Sequence, residues 1–92
     1  MTKLSIIIPV YNSSKILEKL IFEINSNLSE KFENNYEIIL VNDSSNDNSW
    51  DIIKKISKVF NFIKGIDLDY NVGQHGAIFI GLKYSTGSKI VI

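Results

Sequence analysis

Short apolar runs alternate with amphipathic stretches along this chain, and that alternation leaves few folds open. Leu4–Val10 is an almost unbroken β-branched run, with Pro9 near its end, where a missing N–H does least harm. Residues 38–41, preceded by Tyr36, form a second such run. Neither shows the every-other-residue polarity of a strand with one wet face, so both are expected to be covered on two sides. Between them Ile16, Leu17, Leu20, Ile21, Ile24 and Leu28 recur at helical spacing, with lysines and glutamates on the opposite face. Residues 29–35 read as a loop. A second helix is predicted after the polar stretch 42–49, with Trp50, Ile53, Ile56 and Phe60 inward and Lys54, Lys55 and Lys58 outward. Residues 62–68 are a third strand. Gly65 and the alternation with Lys64 and Asp67 place it nearer an edge. Residues 74–84 form a third, less polar helix with Ala77, Ile78 and Leu82 toward the core, ended by Ser85-Thr86-Gly87. A fourth strand begins at Lys89.

This order predicts an α/β fold of three layers: a doubly wound, mainly parallel, Rossmann-like sheet with helices on both faces, formed as one domain over residues 1–92. Ligands of such sheets sit outside the carboxyl ends of the strands, near the switch in strand order. The loops at residues 11–14, 42–49 and 69–74 are therefore the candidates for function.

Composition removes several classes. With 45 % apolar and 22 % charged residues, the chain is neither disordered nor of low complexity. A formal net charge of zero argues against nucleic acid as a partner. All ten cations are lysine, so the bidentate arginine fork for phosphate is missing. The absence of cysteine removes disulfides, thiol nucleophiles and cysteine-type zinc sites, and fits a reducing compartment. No apolar run reaches the roughly 18 residues of a membrane span. The first run, with no small-residue cleavage pattern after it, is read as a strand and not a secretory signal.

Asp43 directly follows a buried run and should stand at the ligand edge. A carboxylate there accepts from a nucleobase imide or a ribose hydroxyl, or holds Mg²⁺. The plainer reading is that Asp43, Ser45 or Asp47 caps the next helix. Tyr11 stands where a ring packs on a base or simply on its neighbours. Asn12, Ser13 and Ser14 are read as helix caps, since no histidine–acid pair is placed to activate a serine. In the third loop, Asn71-Val72-Gly73-Gln74 enters a helix, and backbone N–H groups at such a start meet an anion. It is neither the three-glycine dinucleotide fingerprint nor a P-loop. His75, the only histidine, cannot form a metal cluster alone and is read as a bystander.

Ser5-Ile-Ile-Ile-Pro-Val-Tyr-Asn12 resembles the opening strand of the inverting glycosyltransferases of family 2, which have the GT-A fold. Residues 36–47 are similar to that family's second strand and acid-rich loop. Asn71-Val-Gly-Gln-His-Gly-Ala77, with Gly81-Leu82 and Tyr84-Ser-Thr-Gly87, is similar to its third-helix region. The Asn-x-Gly-Gln form resembles the branch that transfers sugars to polyprenyl phosphate, which includes relatives of dolichol-phosphate mannosyltransferase.

The resemblance implies a nucleotide-diphosphate sugar as donor. Pro9 and Tyr11 would line the nucleotide, Asp43 would accept from the base, and Asn71 and Gly73 would lie beside the donor. Two positions depart from the family pattern: Ser13 replaces the usual acid after Asn12, and Asn42 replaces the first acid of the pair. The family's Asp-x-Asp motif, which holds Mg²⁺ or Mn²⁺ on the diphosphate, is expected after residue 92, as are the acceptor subsite and the general base. These residues are thus expected to be the nucleotide-binding, N-terminal half of a GT-A domain, binding no metal and catalysing no transfer alone. The acceptor implied is polyprenyl phosphate or a glycan, and the setting cytoplasmic, at a membrane face reached through further chain. An open sheet edge predicts that the 92 residues alone self-associate. The rival readings are a receiver-like regulatory domain phosphorylated on Asp43 and a plain interaction module. A receiver would want acids in the first loop, where Asn12-Ser13-Ser14 stand.

Overall fold

A computed structural model describes residues 2–33 and 35–92. Asn34, inside the predicted loop 29–35, lies outside the described residues, as does Met1. The elements are β1 (Leu4–Val10), α1 (Leu17–Leu28), β2 (Tyr36–Asn42), α2 (Ser49–Val59), β3 (Ile63–Asp67), α3 (Gly73–Tyr84) and β4 (Lys89–Val91). The four strands run parallel in the order β3-β2-β1-β4. This is the predicted doubly wound sheet, with β3 at an edge as the polar alternation required. No helix among the described residues is long and apolar enough to cross a membrane.

The apolar runs become central strands because both of their faces are covered. Leu4, Ile6 and Val10 of β1 and Tyr36, Ile38 and Leu40 of β2 form one core with Leu17 and Ile21 of α1 and Ile53 and Ile56 of α2. Ile7, Ile39 and Val41, on the opposite face, form a second core with Ala77 of α3. In-register pairing of Ile6 with Ile38 and Ile7 with Ile39 carries both cores across the sheet. Burying an isoleucine or leucine of this kind contributes about 1.5–3 kcal/mol. A one-residue slip between β1 and β2 would exchange the two faces and put Glu37 into the α1–α2 core.

Two predictions about packing are corrected. Leu82 does not point into the core: it is 37 % exposed, and the buried positions of α3 are Ala77 and Gly81. The helix meets the sheet through small residues, so its contact face carries no apolar period to read. Gly65 is more than a weak point of β3. A Cβ there would stand 2.6 Å from Ile53 Cγ2 and 3.1 Å from Trp50 Cζ3, so glycine is what lets α2 lie close over the strand.

The predicted side-chain cap of α1 is also absent. Ile16 occupies the N-cap position without a side-chain bond, and its N–H donates to the Ser13 carbonyl at 3.1 Å. Asn12 and Ser14 bond instead to the loop that follows β2.

At the amino end of the sheet, the buried Glu37 fastens the chain between α3 and β4. Its Oε2 accepts from Ser5 Oγ at 2.5 Å, Thr86 N–H at 2.7 Å and Thr86 Oγ1 at 3.0 Å. Its Oε1 faces Lys64 Nζ at 2.5 Å, and Ser5 Oγ in turn accepts from Gly87 N–H at 2.8 Å. Burial opposes the charge, but Lys64, the Ser5 hydroxyl and both Thr86 donors outweigh it and hold the carboxyl at about 2. A folded-state value below the unfolded 4.5 means stabilisation that is full above 4.5 and fades as pH falls toward about 2. Glu37→Gln should therefore cost about 2 kcal/mol near neutral pH. In urea melts that deficit should shrink as the pH drops through this window; a constant deficit would show that the charge is not what holds β4.

Candidate functional site

The strand order turns back on itself at β1, which has β2 on one side and β4 on the other. The loops after β1, β2 and β3 all leave the carboxyl end of the sheet, so this edge collects residues far apart in sequence. A cleft of about 520 Å³ opens there, lined by Pro9, Tyr11, Ser13, Asn71, Gly73 and Gln74. Four of the five residues predicted to meet a nucleotide, Pro9, Tyr11, Asn71 and Gly73, thus share one cavity. Tyr11 is half exposed and has room for a ring beside it.

The fifth, Asp43, is placed differently from a wall residue: it is only 3 % exposed and sits behind the lining. Its Oδ1 accepts from the Val72 N–H at 2.7 Å, and its Oδ2 from the Gly73 N–H at 3.0 Å and Asn71 Nδ2 at 3.1 Å. Asn71 Nδ2 also donates to the Asp43 carbonyl at 3.1 Å. The anion expected at the start of α3 is therefore a carboxylate of the chain itself. Its charge lies at the positive end of the helix dipole and satisfies donors that Val72, an N-cap without a side-chain bond, cannot. Gly73 takes φ +85°, a left-handed conformation that favours glycine, so the chain turns into α3 with its N–H toward Asp43.

Asn42, buried at the end of β2, explains one departure from the acidic pair. Its Nδ2 donates to Asp67 Oδ1 at 2.8 Å, while its Oδ1 accepts from Ser45 Oγ at 2.6 Å. An amide can donate to a carboxylate and accept from a hydroxyl at one site, which an ionised aspartate, an acceptor only, cannot. An aspartate here would face the Asp67 carboxylate without a proton between them.

Ser13 and Gln74 were missed as lining residues. Ser13 had been read as a cap, and Gln74 had been quoted only as part of a motif; its place directly after Gly73 was the available signal. His75 is exposed and does not line this cleft. The lining carries no carboxylate and no lysine. Among the described residues no group of three or more histidine, aspartate or glutamate side chains stands close enough to hold a metal ion.

The family model described as glycosyl transferase family 2 matches residues 5–92. The chain belongs to this family. Solved structures agree with that membership of glycosyl transferase family 2. Residues 1–349 of S. aureus TarS superpose with a TM-score of 0.81 at 27 % identity, over 99 % of this chain and 27 % of that one. The same protein in complex with UDP-GlcNAc gives 0.78 at 27 % identity, over 99 % and 26 %. The mannosyltransferase PcManGT of Pyrobaculum calidifontis, in complex with GDP-Man and Mn²⁺, gives 0.83 at 16 % identity, over 96 % and 26 %, which shows the shared fold. The chain spans about a quarter of the length of these structures.

Asn42→Asp should destabilise this family 2 domain by about 1 kcal/mol at neutral pH, because two carboxylates would share one part-buried contact. Their mutual repulsion raises the folded-state pKa of the pair, so the penalty should fall as the pH approaches about 4 and one of them takes a proton. Denaturant melts at the two pH values check this. Equal stability of both proteins at neutral pH would contradict the hydrogen-bond assignment.

Proposed function

We propose that these residues are the donor-nucleotide-binding part of an inverting glycosyltransferase that uses a nucleotide-diphosphate sugar. The observation that carries this reading is the cleft at the switch point, where Pro9, Tyr11, Asn71 and Gly73 meet in front of Asp43. Tyr11 supplies a ring for the base to pack on. Asp43 Oδ1 takes one hydrogen bond, from Val72, and keeps a lone pair that an imide N–H can reach as the nucleoside enters. Asn71 and Gly73, fixed by the same carboxylate, set the floor beside the sugar. The complexes of TarS with UDP-GlcNAc and of the archaeal mannosyltransferase with GDP-Man support a nucleotide-sugar donor.

The lining offers no cation to a diphosphate. We therefore assign the whole enzyme a divalent ion, Mg²⁺ or Mn²⁺, which would neutralise charge on the leaving group, with ligands outside the residues described. The general base is likewise assigned outside the residues described. The burial of Asp43 and the lack of an acid in Asn12-Ser13-Ser14 disfavour a phosphate-accepting receiver. For the acceptor we propose polyprenyl phosphate, on the likeness of residues 71–77 to that branch, with the reaction at a cytoplasmic membrane face. Transfer of label only to glycan acceptors would contradict that choice.

Calorimetric titration of the full-length protein with UDP and GDP, with Mn²⁺ present, tests the donor site. The wild type should bind one of them, and Tyr11→Ala should weaken binding roughly tenfold through lost stacking. Asp43→Asn should cost about tenfold or more, with the melting temperature read alongside because this residue also holds α3. Unchanged affinity in both variants would refute the site. We also propose that the 92 residues alone self-associate along β4, where Ile90, Val91 and Ile92 are exposed. A monomer by light scattering at high concentration would contradict this.

A further inference from the structure

The loops after β1 and β2 are laced together by bonds that do not belong to either strand. The Asn12 N–H donates to Ser45 Oγ at 3.0 Å, and the Asn46 N–H donates back to Asn12 Oδ1 at 2.8 Å. The Ser13 N–H donates to Ser49 Oγ at 3.1 Å, and the Ser14 N–H to Asp47 Oδ2 at 3.2 Å. The second oxygen of Asp47, Oδ1, accepts from the Ser49 N–H at 2.9 Å and from Ser49 Oγ at 2.5 Å. Asn12 itself sits at φ 49° and Ser44 at φ 57°, left-handed conformations that need outside support in residues with a side chain.

Tyr11 lies directly before this clasp. It lines the cleft, yet it is 51 % exposed, so burial does little to fix it. Its carbonyl accepts from Ser13 Oγ at 3.0 Å, and residues 12–14, which follow it, are tied to residues 45–49 by the bonds above. Asp47 is their hub, because its two oxygens serve different loops. Oδ1 starts α2 through Ser49, and Oδ2 reaches across to Ser14. The Ser49 hydroxyl, against the opposing effect of desolvation and with help from the Ser49 and Ser14 N–H groups, holds this carboxyl at about 2.

We propose that Asp47 is a positioning residue for nucleotide binding: it acts through Tyr11, by clamping the loop after β1 to the loop after β2. The role rests on the donor-nucleotide reading of the cleft. A loop held in its binding conformation before the ligand arrives loses less freedom on binding, so releasing it should weaken affinity without removing any contact to the nucleotide.

Asp47→Asn separates the two duties. It keeps an oxygen for Ser49 and turns an NH₂ group toward the Ser14 N–H, so the start of α2 survives while the Ser14 bond, one of the four between the loops, is lost. Asp47 is exposed, and the melting temperature of Asp47→Asn, read alongside, should stay close to that of the wild type. In the full-length protein, calorimetric titration with UDP and GDP should show Asp47→Asn binding roughly five- to tenfold more weakly than wild type. The Asp47→Asn, Tyr11→Ala double variant should bind no more weakly than Tyr11→Ala alone, since the clasp acts through that ring. Amide exchange in Asp47→Asn should quicken at residues 12–14 and stay unchanged at Ile52 and Ile53 of α2. Multiplying effects in the double variant, unaltered affinity in Asp47→Asn, or faster exchange throughout α2 would each overturn the proposal. A wild type that binds neither nucleotide would overturn the donor reading and this role with it, whereas a wild type that binds beside an indifferent Asp47→Asn would overturn this role alone.

Discussion

The start of α3, and with it one wall of the cleft, depends on one buried carboxylate. Asp43 directly follows the central strand β2 and places its charge against the first N–H groups of α3. That contact orients α3, fixes the left-handed Gly73 and aligns Asn71, and so decides the shape of one wall of the cleft. The interaction is strong because it combines a charged acceptor, three donors and little water. It also removes the helix start from the list of places where a diphosphate would settle, since the chain's own anion is already there.

The far end of β2 carries a counterpart. Glu37 holds Thr86, just beyond the end of α3, with Lys64 and Ser5 sharing the charge. One strand thus catches both ends of one helix. α3 needs such anchors because it touches the sheet through Ala77 and Gly81 and buries little apolar surface of its own. Its close approach narrows the space at the carboxyl edge, and the polar anchors set where along the sheet it lies.

Much of this was legible in the residues. The apolar runs gave β1 and β2, and the lysine–glutamate faces gave α1 and α2, because a two-sided strand and an amphipathic helix leave strong periods. The cleft was legible too: Pro9, Tyr11, Asn71 and Gly73 come together because parallel topology sends the loops after β1 and β3 to one edge. The misreadings share a cause. Leu82 was expected inside because hydrophobic period cannot see that small residues make the closest contact. Asn12 and Ser14 were expected to cap the nearest helix, and a loop more than thirty residues away offered better partners. Asp43 stands at the expected edge, but the donors it takes from the start of α3 lie far along the chain, and no local pattern announces them. Local rules name the groups that need a partner; only the fold says which partner they find.

In the proposed function, the carboxyl edge of the sheet receives a nucleoside between Tyr11 and the start of α3. The most direct measurement is amide chemical-shift mapping of the protein as UDP, and separately GDP, is added with Mg²⁺. The account predicts shifts concentrated at residues 9–14, 43–45 and 71–74, with the Val72 and Gly73 amides among the most perturbed because Asp43 must share its oxygens. Shifts confined to α1, α2 or the amino end of the sheet, or none with either nucleotide, would contradict it.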